Sequence, residues 1–317
     1  MCNCGVKHAE HRQPLGSEKP IAIGHPTSML ARQRLNRRAV LKAAAGLSAM
    51  AAGGGFAAVR NPASARAAEN GGTRAGRFTP AVSIDAKAGS DGSSDGYRVF
   101  QTDYPFFALG ASWSADVGTW PVVDVQVSAD GESWSDTYQM TSDHEDGGRP
   151  TREGRLYTPL VFTDAMTWVQ FRTVDGDGNE GSVADLAFTY IDASDGPWEH
   201  DVSPTTPSSN TSNPDTYVPP RMLNRAAWGA DESYRFDASG EIWPEEYSLV
   251  HHAIVHHTDT PTFQDPLVAM RSIYYYHAVE KGWGDIGYNY LVNRNGTIYE
   301  GRFGGQNVVG GHSYQYA

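Results

Sequence analysis

Between residues 78 and 195 apolar and polar positions alternate in short runs, at 97–100, 106–112, 122–128, 157–162, 168–174 and 186–191. Val123, Val125 and Val127 interleave with Asp124, Gln126 and Ser128. A period of two sends one set of side chains toward a core and the other toward water, the mark of a half-buried strand. Turn signals separate the runs, among them Asp130-Gly131 and the Asp-Gly-Asp-Gly-Asn stretch at 175–179. The pattern predicts a β-sandwich over residues 76–197, long enough to bury its own core. The spacing of Asp175, Asp177 and Asn179 mimics the start of a calcium loop. Glu180 stands where that loop needs glycine and Leu186 where it needs the bidentate glutamate, so the stretch reads as a hairpin turn.

The pattern changes twice downstream. Residues 198–220 are poor in apolar side chains and rich in Pro, Ser and Thr, the composition of a semi-extended linker. From 221 onward an apolar run at 249–257 predicts a buried strand. Asp265 and Pro266 form a cap and first-turn pair for a helix to about Lys281, closed by Gly282. Strands at 288–293 and 297–301 flank an Asn295-Gly296 turn, the signature of a hairpin. Strands with an intervening helix predict an α/β domain, a mixed sheet with helices, over 221–317. The expected architecture is therefore multidomain, an N-terminal β-sandwich followed by an α/β domain.

The N-terminal residues carry an address. Arg37-Arg38 precede an Ala- and Gly-rich apolar stretch reaching Val59, then small residues at 63–67. This predicts a cleaved leader over residues 1–67, handed to the twin-arginine export machinery and placing the protein outside the cell or in its wall. Met29 is an alternative start. Both cysteines, Cys2 and Cys4, fall in the leader, so no disulfide framework is expected after cleavage. Residues 1–66 hold ten Lys and Arg against two Asp and Glu. Subtracted from totals of 25 and 37, this leaves 15 basic and 35 acidic residues in the remainder, a net of −20. Such a surface excludes nucleic acid as a partner, since phosphate binding needs basic charge.

The chemistry-bearing residues cluster late in the chain. His256 ends the run Ala253-Ile254-Val255, a placement that presents an imidazole on a rigid strand. His252 shares its face but lies four residues away, about 13 Å at roughly 3.3 Å per residue, too far to share one ion. His257 is adjacent and faces the opposite side, so on strand geometry it reads as structural. A catalytic zinc needs three protein ligands and an open position for water. The distant candidates are His277, whose helical stripe with Met270 and Ile273 favours packing, and His312.

Five segments occur in order: Asn-Arg-Ala-Ala-Trp-Gly-Ala at 224–230, His256-His257-Thr258, Asp-Ile-Gly-Tyr at 285–288, the hairpin at 294–302, and Val-Gly-Gly-His at 309–312. Together they resemble the peptidoglycan recognition protein family and its zinc-dependent N-acetylmuramoyl-L-alanine amidases of the type 2 class, over about residues 221–317. The resemblance implies Zn2+ with His256 as its first ligand, Tyr288 as the catalytic tyrosine, and His312, with His257 and Thr258, on the side that receives the muramyl peptide. It implies cleavage of the amide between the lactyl group of muramic acid and L-alanine. It also implies that the remaining zinc ligands belong to sequence after Ala317, so that the amidase domain is incomplete in this chain and the 317-residue polypeptide is expected to be inactive. Two other readings compete: a recognition protein that holds the muramyl peptide without cutting it, and a wall-attached sandwich with an inactive C-terminal relic. Trp113, Trp120 and Trp134 are candidates for stacking on wall carbohydrate, with core packing the equally economical alternative.

Overall fold

The computed structural model describes residues 72–80, 96–115, 121–142, 154–174, 181, 183–202, 222–251 and 253–311. All belong to the second of two compact units, Ala57–Ala317. The expected leader with Arg37 and Arg38, and the part of the expected linker beyond residue 202, lie outside the described residues.

Seven strands form one antiparallel sheet. They are β1 (Arg74–Phe78), β2 (Arg98–Ser114), β3 (Val122–Ser128), β4 (Tyr138–Met140), β5 (Arg155–Tyr157), β6 (Val161–Val174) and β7 (Ala187–Asp192). Their order is β1-β7-β2-β6-β3-β4, with β5 paired to the end of β2. The alternating run at 122–128 is β3 residue for residue. The runs at 97–100 and 106–112, read as two strands, are parts of the single 17-residue β2. Its ladder to β6 continues through register shifts between Gln101 and Phe106 and between Phe106 and Ala108. Such bulges bend and twist a strand, and here they curl the sheet over its own core. Phe78 of β1 stacks on Phe100 of β2 at 4.0 Å and meets Phe171 of β6 edge-on at 6.5 Å. Leu109, Trp113, Val123, Val125 and Phe188 are buried with them. The pairing does not divide these strands into the two sheets expected of a sandwich; they are continuous in hydrogen bonding as one curled sheet. Trp113 is fully buried inside it and unavailable to carbohydrate, Trp134 is half-buried, and Trp120 lies outside the described residues.

Strand β7 is buried along its whole length, because both faces are covered. Phe188 and Tyr190 join the curled core, whereas Ile191 packs with the helix α1 (Pro266–Tyr275). Asp265 caps α1 by accepting from the amides of Leu267 and Val268 at 2.9 and 3.3 Å, and Pro266 occupies the first turn, where no N–H is needed. The helix continues through a π-turn, Tyr276–Glu280, and ends at Gly282, whose φ of 73° favours glycine. Ala108, Tyr157, Phe162 and Ile191 of the sheet share a core with Leu267, Ile273, Tyr274 and Tyr276. Sheet and helix are thus stitched by one apolar layer.

Beyond the helix the chain makes a mixed sheet, as expected, from β8 (Met222–Leu223), β11 (Tyr290–Val292) and β12 (Ile298–Glu300). Here β12 is parallel to β8 and antiparallel to β11. A small ribbon, β9 (Phe236–Asp237) with β10 (Gly240–Glu241), lies between β8 and α1 in sequence. The run 249–257, expected as a buried strand, is neither buried nor in a ladder among the described residues. Leu249 is 78% and Val255 93% exposed, and the nearest registration is the isolated bridge of Tyr247 with Val308. Apolar character alone does not make a strand; a neighbour must accept and donate along it.

Candidate functional site

The loop that carries Tyr288 is held at its base by buried ion pairs. Asp285 is fully buried at its base. Its Oδ1 accepts from Arg225 Nη1 at 2.9 Å and its Oδ2 accepts from Arg302 Nη1 at 2.8 Å and the Phe303 amide at 2.9 Å. Burial of the Arg225 guanidinium acts to lower its pKa, but Glu232 and Asp285 outweigh that and hold it above its ordinary value. Arg302 is itself fully buried, sandwiched over Trp243 at 3.8 Å. An isolated ion buried this deeply would be costly, and the fixed opposite charges offset the cost. Main-chain bonds then fix the loop: the Arg302 amide donates to Tyr288 O at 2.7 Å, that of Gly301 to Asn289 O at 2.9 Å, and that of Gly311 to Gly287 O at 2.8 Å. A Cβ at Gly301 would fall 2.2 Å from Tyr288 O, so only glycine permits this approach.

The segment Asn224-Arg225-Ala226-Ala227-Trp228-Gly229 folds as a single 3-10 turn that feeds this base. Asn224 caps it by accepting from the Ala227 amide at 3.1 Å, and Gly229 closes it at φ 75°. Arg225 turns inward to Asp285, and Trp228 Nε1 donates to Glu300 O at 2.8 Å. The segment was legible as a motif, while its cap and the ion-pair role of Arg225 were not.

Three rings meet around Tyr288. His256 lies edge-on at 5.3 Å between centroids and His277 tilted at 5.5 Å, with Trp283 a further 4.7 Å from His277. His256 Nδ1 is 2.9 Å from the carbonyl oxygen of His257. A carbonyl only accepts, so this contact is made through a proton on Nδ1. This is the arrangement in which a histidine presents Nε2 to a metal while a backbone carbonyl orients the ring. His277 has the opposite tautomer: the Gly287 amide donates to its Nδ1 at 3.3 Å, placing the proton on Nε2. It is buried, as a packing residue would be, yet it packs on Tyr288 and Trp283. The helical stripe with Met270 and Ile273 gave no sign of this, because the π-turn interrupts the 3.6-residue period from Tyr276 onward.

The other sequence-derived candidates separate from this cluster. His257 points to Asp259, with Nδ1 3.7 Å from Oδ1, and is exposed. Thr258 Oγ1 lies 2.7 Å from Thr260 Oγ1. His312 lies outside the described residues. Among the described residues no three His, Cys, Asp or Glu side chains gather as a metal site. The described donor set therefore does not complete a three-ligand zinc centre.

No family model matches the chain, and no solved structure matches it. Curated relatives do. Over 98 residues, 30% of this chain and 39% of the relative, it is 37% identical to peptidoglycan-recognition protein LB of Drosophila melanogaster. Over 95 residues it is 40% identical to peptidoglycan recognition protein 1 of Bos taurus, covering 29% of this chain and 45% of that one. Over 94 residues it is 37% identical to the N-acetylmuramoyl-L-alanine amidase of Homo sapiens, covering 30% of this chain and 16% of that one. The match thus spans less than half the length of each of these relatives, and about a third of this chain is similar to peptidoglycan recognition proteins and N-acetylmuramoyl-L-alanine amidases.

Proposed function

We propose that the segment from Met222 onward binds the muramyl peptide of peptidoglycan on the surface around Tyr288, as part of a secreted zinc-dependent N-acetylmuramoyl-L-alanine amidase. The observation that carries this is the edge-on contact of the His256 ring with Tyr288, whose loop is locked by Asp285. His256 Nε2 would hold the ion, which when bound supplies a water of lowered pKa and polarises the amide carbonyl. The Tyr288 hydroxyl has the chemistry to donate to the oxygen on which charge develops, and the buried ion pairs below it keep that donor from wandering. His257 and Thr258 would line the substrate side with His312. A second reading, recognition without cleavage, draws on the relatives named as peptidoglycan recognition proteins.

Co-sedimentation of the 317-residue chain with insoluble peptidoglycan tests the shared part of both readings, and absence of binding overturns both. Exposure of new N-terminal alanine on the wall by a polypeptide that carries the remaining zinc ligands, abolished by chelator, separates the enzyme from the binder. In an active form His256→Ala should remove bound zinc, whereas Tyr288→Phe should keep the metal and lower kcat by roughly 10² to 10³, the effect of deleting one transition-state donor. An unchanged kcat in Tyr288→Phe would reduce Tyr288 to packing. Export through Arg37 and Arg38 belongs to the same reading. Replacing both by Lys should leave precursor in the cytoplasm, and normal yield outside the cell would refute it.

A further inference from the structure

The π-turn Tyr276–Glu280 that carries His277 is held at both ends by the curled sheet. At its start the Tyr276 hydroxyl donates to Thr158 O at 2.9 Å, with Ala111 O at 3.3 Å. The Tyr276 ring lies against Gly110 of β2, where a Cβ would come within 2.6 Å. At its end Tyr157 OH donates to Glu280 O at 2.6 Å, while the Glu280 carboxylate accepts from Thr189 Oγ1 at 3.0 Å and pairs with Arg77 at 3.5 Å. Between these clamps stands His277, in ring contact with Trp283 and Tyr288 and bonded to the Gly287 amide.

We propose that the curled sheet is a positioning element for the Tyr288 site, setting His277, and through it the Tyr288 ring, by holding the last helical turn in its π form. A π-turn contains one residue more than an α-turn, so it has a discrete alternative. Returning to the α register would rotate the side chains that follow by about 100°. Two packed arrangements of one element are what lets a distant contact act on a site. Gly110, Tyr157, Thr189 and Tyr276 are positioning residues in this scheme. The part of it that concerns binding rests on the proposed function, while the structural coupling does not.

The test uses the full chain labelled with 15N-histidine. Gly110→Ala, on the sheet side of the Tyr276 clamp, should move the His277 imidazole nitrogen resonances and the Tyr288 ring resonances. It should also weaken peptidoglycan binding on the order of tenfold or more, as small displacements of site groups do. Tyr276→Phe, which keeps the ring and removes the hydroxyl, should move the same resonances to a smaller extent. It serves as the readout if Gly110→Ala fails to fold. Folded variants with unmoved His277 and Tyr288 resonances would overturn the proposal. Moved resonances in a protein that never binds peptidoglycan would uphold the coupling and refute the functional reading.

Discussion

Arg271 sits in the middle of α1 with its bonds directed at main-chain oxygens. Nε and Nη2 donate to Ala193 O at 3.0 and 2.7 Å, and Nη1 donates to Pro197 O at 2.8 Å and Trp228 O at 2.9 Å. Burial pulls its pKa down to about 10, against the nearby Asp265, Asp195 and Asp192, which act to raise it. Arg271→Met keeps much of the volume and strips two buried carbonyls and one part-buried carbonyl of their donor. At about 1–3 kcal/mol for an orphaned buried group, partly relieved by relaxation, the variant should lose roughly 3 kcal/mol. A lowered urea midpoint with an unchanged m value would show it, and a loss below about 1 kcal/mol would mean that other donors replace the guanidinium. None of this was legible in the sequence, where an arginine on an otherwise apolar helix reads as the solvent side. Asp285 was hidden for the same reason: its motif marks the Tyr288 loop, but only three-dimensional closure shows Arg225 and Arg302 converging on it.

Elements were legible where a local rule governs them. The period of two gave β3, the Asp-Pro pair gave the start of α1, and Asn295-Gly296 gave the β11–β12 turn, in which the Gly296 amide donates to Asn293 O at 2.9 Å. They were illegible where partners decide. Strand β2 is continuous because β6 follows it through two bulges, and the run at 249–257 has no ladder because no described strand lies beside it. The cap of α1 also does more than its sequence suggests, since Asp265 Oδ2 accepts from the Glu199 amide at 2.9 Å. That bond ties the first residues of the expected linker, folded as a 3-10 turn at Glu199–Asp201, to the helix start. Asp265→Ala should therefore cost about 1–2 kcal/mol, the upper part of the range for a lost cap. In hydrogen exchange the Leu267, Val268 and Glu199 amides should lose protection together. Loss at Leu267 and Val268 alone would confine Asp265 to capping.

At the scale of the whole molecule, the sheet expected to be self-sufficient shares a core with the helix. Ala108, Tyr157, Phe162 and Ile191 are covered by α1 and its π-turn. A polypeptide of residues 72–202 should keep the curled core but expose that second face, so it should bind a hydrophobic dye and melt below the full chain. Equal melting temperatures with no dye binding would show the sheet to be independent of its neighbour. The same molecule also shows Leu249, Val250, Ile254 and Val255 to water, more than 60% exposed in each case. A short window of such aliphatic residues without proline or acidic charge is a template for intermolecular β-pairing. Mutual repulsion from the acidic excess of residues 67–317 should oppose that pairing. Colloidal stability should therefore fall as salt screens that charge or as acid neutralises it, and precipitation on storage would begin at residues 249–255, with the fold otherwise intact.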